Sequence, residues 1–117
     1  GGACHAENDG KFLTAGVMKW FSDCYTAQRA EAVAHKDFAL LRNGGFRGLP
    51  PAWVATMGHD PLRDEGHQLA LRMQDEGVRV SHRHYPGAIH ACIHFTAISP
   101  AGAAIVEELA GWLKERV

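Results

Sequence analysis

A chain of 117 residues, 46% hydrophobic and 21% charged, falls in the size range of one globular domain, and that composition excludes an intrinsically disordered segment. A formal net charge of -1, with no run of like charges, gives nucleic acid or an anionic membrane no electrostatic foothold. Cys4, Cys24 and Cys92 are an odd set without a C-x-x-C pair, which excludes a disulfide framework or a zinc ribbon and points to a reducing, cytoplasmic setting.

Residues 1–11 are rich in glycine and polar side chains, with Glu7-Asn8-Asp9-Gly10 suited to a turn, and are expected to form a loop. The chain starts at Gly1 without a basic, apolar and small-residue leader, so no secretory signal is expected. From Val17 the apolar positions Trp20, Phe21, Cys24 and Tyr25 recur with helical period. That spacing predicts a helix with one buried face, capped by Thr14. Asn43-Gly44-Gly45 and Gly48-Leu49-Pro50-Pro51 then bracket a non-helical connection, because proline lacks an N–H and restricts the residue before it.

Ala52-Trp53-Val54-Ala55-Thr56-Met57 has no polar alternation, as expected of a strand covered by helices on both faces, and its flanking Pro51 and Gly58 argue against a helix. Pro61 suits a first helical turn. Leu62, Gly66, Leu69, Ala70 and Met73 then share one face until Gly77 provides a stop. Between Val78 and Tyr85 a second strand puts Val78, Val80, His82 and His84 on one side and Arg79, Ser81 and Arg83 on the other, the pattern of a sheet edge. Ser99-Pro100 opens a last helix with the stripe Ile105, Val106, Leu109, Trp112 and Leu113.

Strand, helix, strand, helix predicts an α/β chain with a parallel sheet and a crossover helix. Two parallel strands cannot cover three amphipathic helices, so further polypeptide upstream is expected to complete the core. At about 25 cal/mol per Å² of apolar surface, leaving one face of Val54, Leu109 and Trp112 in water forfeits several kcal/mol, and the chain alone is expected to be marginal or to aggregate. No apolar stretch approaches the roughly 20 residues of a membrane-spanning helix.

Asp60 follows the first strand and His90 follows the second. Spacing alone leaves these two as a helix-capping carboxylate and a loop histidine. The surrounding motifs change that reading. Asp60-Pro61-Leu62-Arg63-Asp64-Glu65-Gly66 and Tyr85-Pro86-Gly87-Ala88-Ile89-His90, together with Glu7-Asn8, Phe12-Leu13-Thr14, Met18, Trp20-Phe21, Tyr25 and Gly48-Leu49-Pro50-Pro51-Ala52, resemble the C-terminal region of the hormone-sensitive-lipase family of α/β-hydrolases, the bacterial-type carboxylesterases of the Gly-Asp-Ser-Ala-Gly class. The resemblance implies one C-terminal portion of such a domain across 1–117. Residues 1–47 would connect strands six and seven, and 48–117 would carry the last two parallel strands with their helices.

Carried over residue by residue, the resemblance makes Asp60 the triad acid and His90 the general base. No Gly-x-Ser-x-Gly elbow is present, so the nucleophilic serine and the oxyanion hole are expected upstream, and the chain by itself is expected to be inactive. The order acid then histidine agrees with the order Ser, Asp, His of such enzymes. The implied reaction is carboxylic-ester hydrolysis through an acyl-serine, without a cofactor, on a small-molecule ester. A homodimer through the edge between Val78 and Tyr85 is the protein partner the family suggests. One departure follows the histidine, where the family's Gly-Phe is replaced by Ala91-Cys92.

Competing readings concern the remaining polar residues. Asp64 and Glu65 suit the positive end of a helix better than a second acid pair. Trp20 and Phe21 suit either core packing or a substrate pocket. His82 with His84, and His90 with His94, assemble no four-ligand set, so no metal is expected. Ser22, Ser81 and Ser99 lack a glycine-flanked elbow, and Ser99 reads as a helix cap. Two other functions fit the same motifs: a truncated or degenerate hydrolase domain with a binding or structural role, and a peptidase or amidase on the same fold.

Overall fold

The computed structural model describes residues 3–27, 29–35, 38–43 and 45–116; Gly1, Gly2 and Gly44 lie outside them. In chain order the elements are α1 (Ala3–Asn8), α2 (Ala15–Thr26), α3 (Ala30–Ala34), α4 (Leu40–Asn43), β1 (Ala52–His59), α5 (Arg63–Asp75), β2 (Val80–Ile89), a 3-10 turn (Cys92–Phe95) and α6 (Pro100–Lys114). Among the described residues no helix is long and apolar enough to cross a membrane.

β1 and β2 pair in parallel, from Ala52 opposite Val80 to Met57 opposite Tyr85. This is the expected strand–helix–strand unit. The register then breaks: His59 pairs with Ile89, so β1 advances two residues while β2 advances four. The extra length is a bulge at Pro86-Gly87, where proline's missing N–H is harmless. It carries β2 four residues past the expected end at Tyr85.

Helices cover the two sides of this ribbon. On the α5 side, Phe46, Met73 and Val78 form a core with Ala52, Leu69 and Val80 packed against it. On the α6 side, Ala88, Cys92 and Ile105 are buried with Trp53, Met57, Tyr85 and Ile89 around them. Trp112 of α6 donates its indole N–H to the Ser81 hydroxyl at 2.9 Å, which satisfies its polar edge where the ring packs on the sheet. β1 is nevertheless not buried throughout. Thr56 is the strand's buried position and its neighbours are half-buried, because among the described residues the β1 edge away from β2 has no paired strand.

Local signals set the helix ends. α5 stops in a Schellman motif: Gly77 at φ 88 donates to the Gln74 carbonyl, and the Val78 N–H reaches Met73 at 2.9 Å, uniting two core residues at the turn. Its start is two residues later than Pro61 suggested. Pro61 lies in the preceding turn, closed by the Arg63 N–H on the Asp60 carbonyl at 3.1 Å. Thr14 and Ser99 cap α2 and α6 through hydroxyls that accept from Val17 and Gly102.

Two further expectations are corrected. The described part of the expected loop contains α1, whose Cys4 and Asn8 are buried; contacts with residues more than fifty positions away outweigh a local composition that favours a turn. α2 is helical as expected, but its apolar face is not buried. Trp20 is 61% and Tyr25 80% exposed, with Val17 and Phe21 also open to solvent. Periodicity identifies a face and leaves its covering undetermined. Trp20 and Phe21 instead pack on each other, with ring centroids 5.1 Å apart.

Candidate active site

Asp60 follows the last residue of β1 and His90 the last residue of β2. Parallel pairing therefore brings both to the same carboxyl edge of the sheet, the edge where open α/β folds place ligand sites. The Asp60 Oδ2 and His90 Nδ1 atoms are 2.8 Å apart. A carboxylate at this position can only accept, which requires the proton on Nδ1, and a neutral imidazole in that tautomer keeps Nε2 bare.

The acid is fixed before it meets the imidazole. Its Oδ1 accepts the Leu62 N–H at 2.8 Å, an Asx turn enforced by the intervening Pro61. One oxygen thus secures the loop while the other faces His90. Asp60 is 6% exposed, whereas the His90 side chain is 31% exposed. Each oxygen of the buried carboxyl thus has a hydrogen-bond partner, and the His90 ring stays partly open to solvent.

Ala91 follows His90 in the left-handed region, at φ 56 and ψ 22. This turns the chain abruptly off β2 into the 3-10 turn. A cavity of about 570 Å³ opens beside the pair, with Asp60, His90 and His94 on its wall among the apolar side chains of Leu40, Leu41, Leu62, Leu69 and Ile93. α4 is tied down by the Arg72 guanidinium, which donates to the Leu41 carbonyl and lies over the Phe46 ring. An imidazole with one free nitrogen in such a cleft can accept a proton from a hydroxyl and return it to a leaving group.

The other polar candidates do not join this pair. Asp64 accepts from Arg63 Nε at 2.8 Å, and that bond, ahead of one from Cys4, holds its carboxyl below the usual range. Glu65 stands 3.6 Å from His5. His82 and His84 lie on the α5 side of the sheet, both 3.0 Å from the Thr56 hydroxyl, with the His67 ring near His82. Ser22 and Ser81 engage neighbours through a carbonyl and a hydroxyl on surfaces away from the pair.

Motif reading missed the support beneath the acid loop. Cys4 and Asn8 of α1 sit under residues 60–61, and Arg63 joins three elements, donating to the Gly58 carbonyl, to Asp64 and to Glu7 of α1. The i, i+4 spacing of two small side chains, Cys4 and Asn8, was the signal available, and it is too common to single out a helix of six residues.

Comparison with known proteins agrees with this architecture. Residues 3–94 match the family described as the alpha/beta hydrolase fold. The chain is 37% identical over 78 residues to arylacetamide deacetylase of Bos taurus, covering 67% of this chain and 19% of that protein. It is 39% identical over 61 residues to carboxylesterase NlhH of Mycobacterium tuberculosis, covering 52% of this chain and 19% of that protein. Among solved structures, the hyperthermophilic esterase of Pyrobaculum calidifontis superposes on 98% of the chain with a TM-score of 0.90 at 31% identity, and the match spans 38% of that esterase. The chain therefore spans about a fifth of the length of these curated relatives.

Proposed function

The chain belongs to the α/β-hydrolase fold family, and from that premise we propose that it supplies the acid, Asp60, and the general base, His90, of a Ser-Asp-His triad in a carboxylic-ester hydrolase. The observation that carries the proposal is the 2.8 Å contact of His90 Nδ1 with an Asp60 whose other oxygen is already engaged. Such an acid fixes the tautomer and stabilises the imidazolium formed when Nε2 takes the serine proton. The nucleophile and the oxyanion hole would come from polypeptide preceding residue 1, and residues 1–47 would be the connection between strands six and seven.

In the proposed reaction, His90 Nε2 accepts the serine hydroxyl proton as the oxygen attacks the ester carbonyl, and returns it to the departing alcohol. It then activates water to release the acid. No cofactor enters this scheme. The apolar cavity wall favours uncharged acyl or alcohol groups. Arylacetamide deacetylase is similar to this chain, and its name makes amides the second substrate class. The free cysteines, two of them buried, support a reducing cytoplasmic compartment. The outer edge of β2 is the surface proposed for a homodimer.

Replacing the matching C-terminal segment of the Pyrobaculum calidifontis esterase with this chain tests the proposal. The chimera is expected to hydrolyse a chromogenic short-chain ester, and to lose that activity on His90→Ala. A folded chimera that is inactive, or indifferent to His90→Ala, would refute the assignment and favour a binding role for the domain.

A further inference from the structure

Two buried side chains of α1 reach consecutive carbonyls of the acid loop. Cys4 Sγ lies 2.9 Å from the Pro61 carbonyl oxygen and donates its S–H there; Asn8 Nδ2 donates to the Asp60 carbonyl at 3.5 Å. Cys4 is 0% and Asn8 2% exposed, and Pro61 is as deeply enclosed. Positions i and i+4 of a helix point the same way, so α1 presents both donors to one short stretch of backbone. The Cys4 N–H adds a bond to Asp64 Oδ2 at 3.3 Å, just beyond that stretch.

The turn Asp60-Pro61-Leu62 has two bonds of its own, from the Arg63 N–H to the Asp60 carbonyl and from the Leu62 N–H to Oδ1, and neither engages the Pro61 carbonyl. Its direction decides where Oδ2 points, and a carboxylate displaced by even an ångström no longer selects one imidazole tautomer. We infer that Cys4 and Asn8 are positioning residues, which clamp the carbonyls of Pro61 and Asp60 so that the Asp60 carboxylate stays aimed at His90 Nδ1. The inference rests on the assignment of Asp60 and His90 as triad members.

The clamp continues outward. Asn8 Oδ1 accepts from Lys11 Nζ at 3.1 Å, which fixes the amide orientation and leaves Nδ2 for Asp60. Burial, the largest influence on Cys4, pushes its thiol above the ordinary value, which keeps the sulfur protonated and able to donate. The donors face backbone oxygens and touch neither His90 nor the cavity, so their influence passes through the loop alone.

The test is the tautomer of His90, read from long-range imidazole 1H–15N correlations of the esterase chimera that carries this chain. The unaltered chimera is expected to show Nδ1–H with a bare Nε2. Asn8→Leu keeps the volume and removes the donor; Cys4→Ala removes the thiol and Cys4→Ser retains a hydroxyl donor. Asn8→Leu and Cys4→Ala are each expected to lower the ratio of Nδ1–H to Nε2–H about fivefold, the factor set by one ordinary hydrogen bond, and Cys4→Ser to restore it. A ratio unchanged in folded variants would overturn the clamp. Should Asn8→Leu unfold, the cysteine pair decides the matter in the same terms. Ester turnover is not the readout, so an inactive hydrolase with an intact tautomer response would refute the catalytic assignment alone, while an unresponsive tautomer in an active hydrolase would refute the clamp alone.

Discussion

Gly58 of β1 and Pro86 of β2 lie closer than any side chain allows: a Cβ at position 58 would stand 2.0 Å from the Pro86 carbonyl oxygen and 2.6 Å from its carbonyl carbon. Both obstacles are backbone and cannot swing aside. Gly58→Ala must therefore part the strands at the bulge just ahead of Asp60 and His90, at a cost of about 3 kcal/mol, the upper range for overpacking. Chemical denaturation of the esterase chimera measures the loss. Gly87→Ala, whose added methyl meets nothing within 4 Å, is the control and is expected to be close to neutral.

Ala91 occupies a backbone region that costs an L-residue about 1–2 kcal/mol, at φ 56. Ala91→Gly removes that strain and adds some entropy to the unfolded chain, so a net gain of about 1 kcal/mol is expected. A lower denaturation midpoint would contradict it.

In the esterase chimera, Asp60→Asn leaves the shape of the pair and removes the charge that selects the tautomer. Turnover is expected to fall about 10⁴-fold, with His90→Ala at least as severe and the double variant no worse than the more damaging single change. Circular dichroism separates this from unfolding, and additive losses would argue against a shared role.

His82 sits below its ordinary value of 6.5, first through burial and then through His67 and His84. In the unfolded chain this ring takes up a proton near 6.5; in the fold it remains neutral to lower pH. Between those values the unfolded state binds more protons, and stability rises with pH. The contribution is complete above about pH 6.5 and is lost as pH falls through the folded-state value. Urea midpoints of the esterase chimera should decline as pH falls through that window, and decline less with His82→Gln.

The strand–helix–strand unit was legible because its signals are local. Pro50-Pro51 marks the start of β1 and Gly58 lies one residue before its end, Gly77 ends α5 at a positive φ, and Ser99-Pro100 starts α6 with a cap and a residue that needs no N–H partner. The far end of β2 was not, since Pro86-Gly87 reads as a turn until a bulge accommodates it. Residues 60 and 90 could be singled out by their motifs, and parallel pairing accounts for their meeting. What holds the acid loop from beneath could not be singled out, because α1 has only six residues and its bonds to that loop reach across more than fifty positions. The exposure of Trp20 and Tyr25 was hidden for the converse reason: a helix records which side is oily and carries no record of its neighbour.

The bonds from α1 to the acid loop bridge 52 to 60 positions of chain, whereas Asp60 and His90 are 30 apart. Long loops close at greater entropic cost and their contacts form later. The chain should thus acquire its parallel ribbon and crossover helix first and dock its amino-terminal turn last. Amides of Ala3–Asn8 should accordingly exchange with solvent well before those of β1, and the aspartate–histidine geometry should be the first native feature to loosen on warming, ahead of global melting.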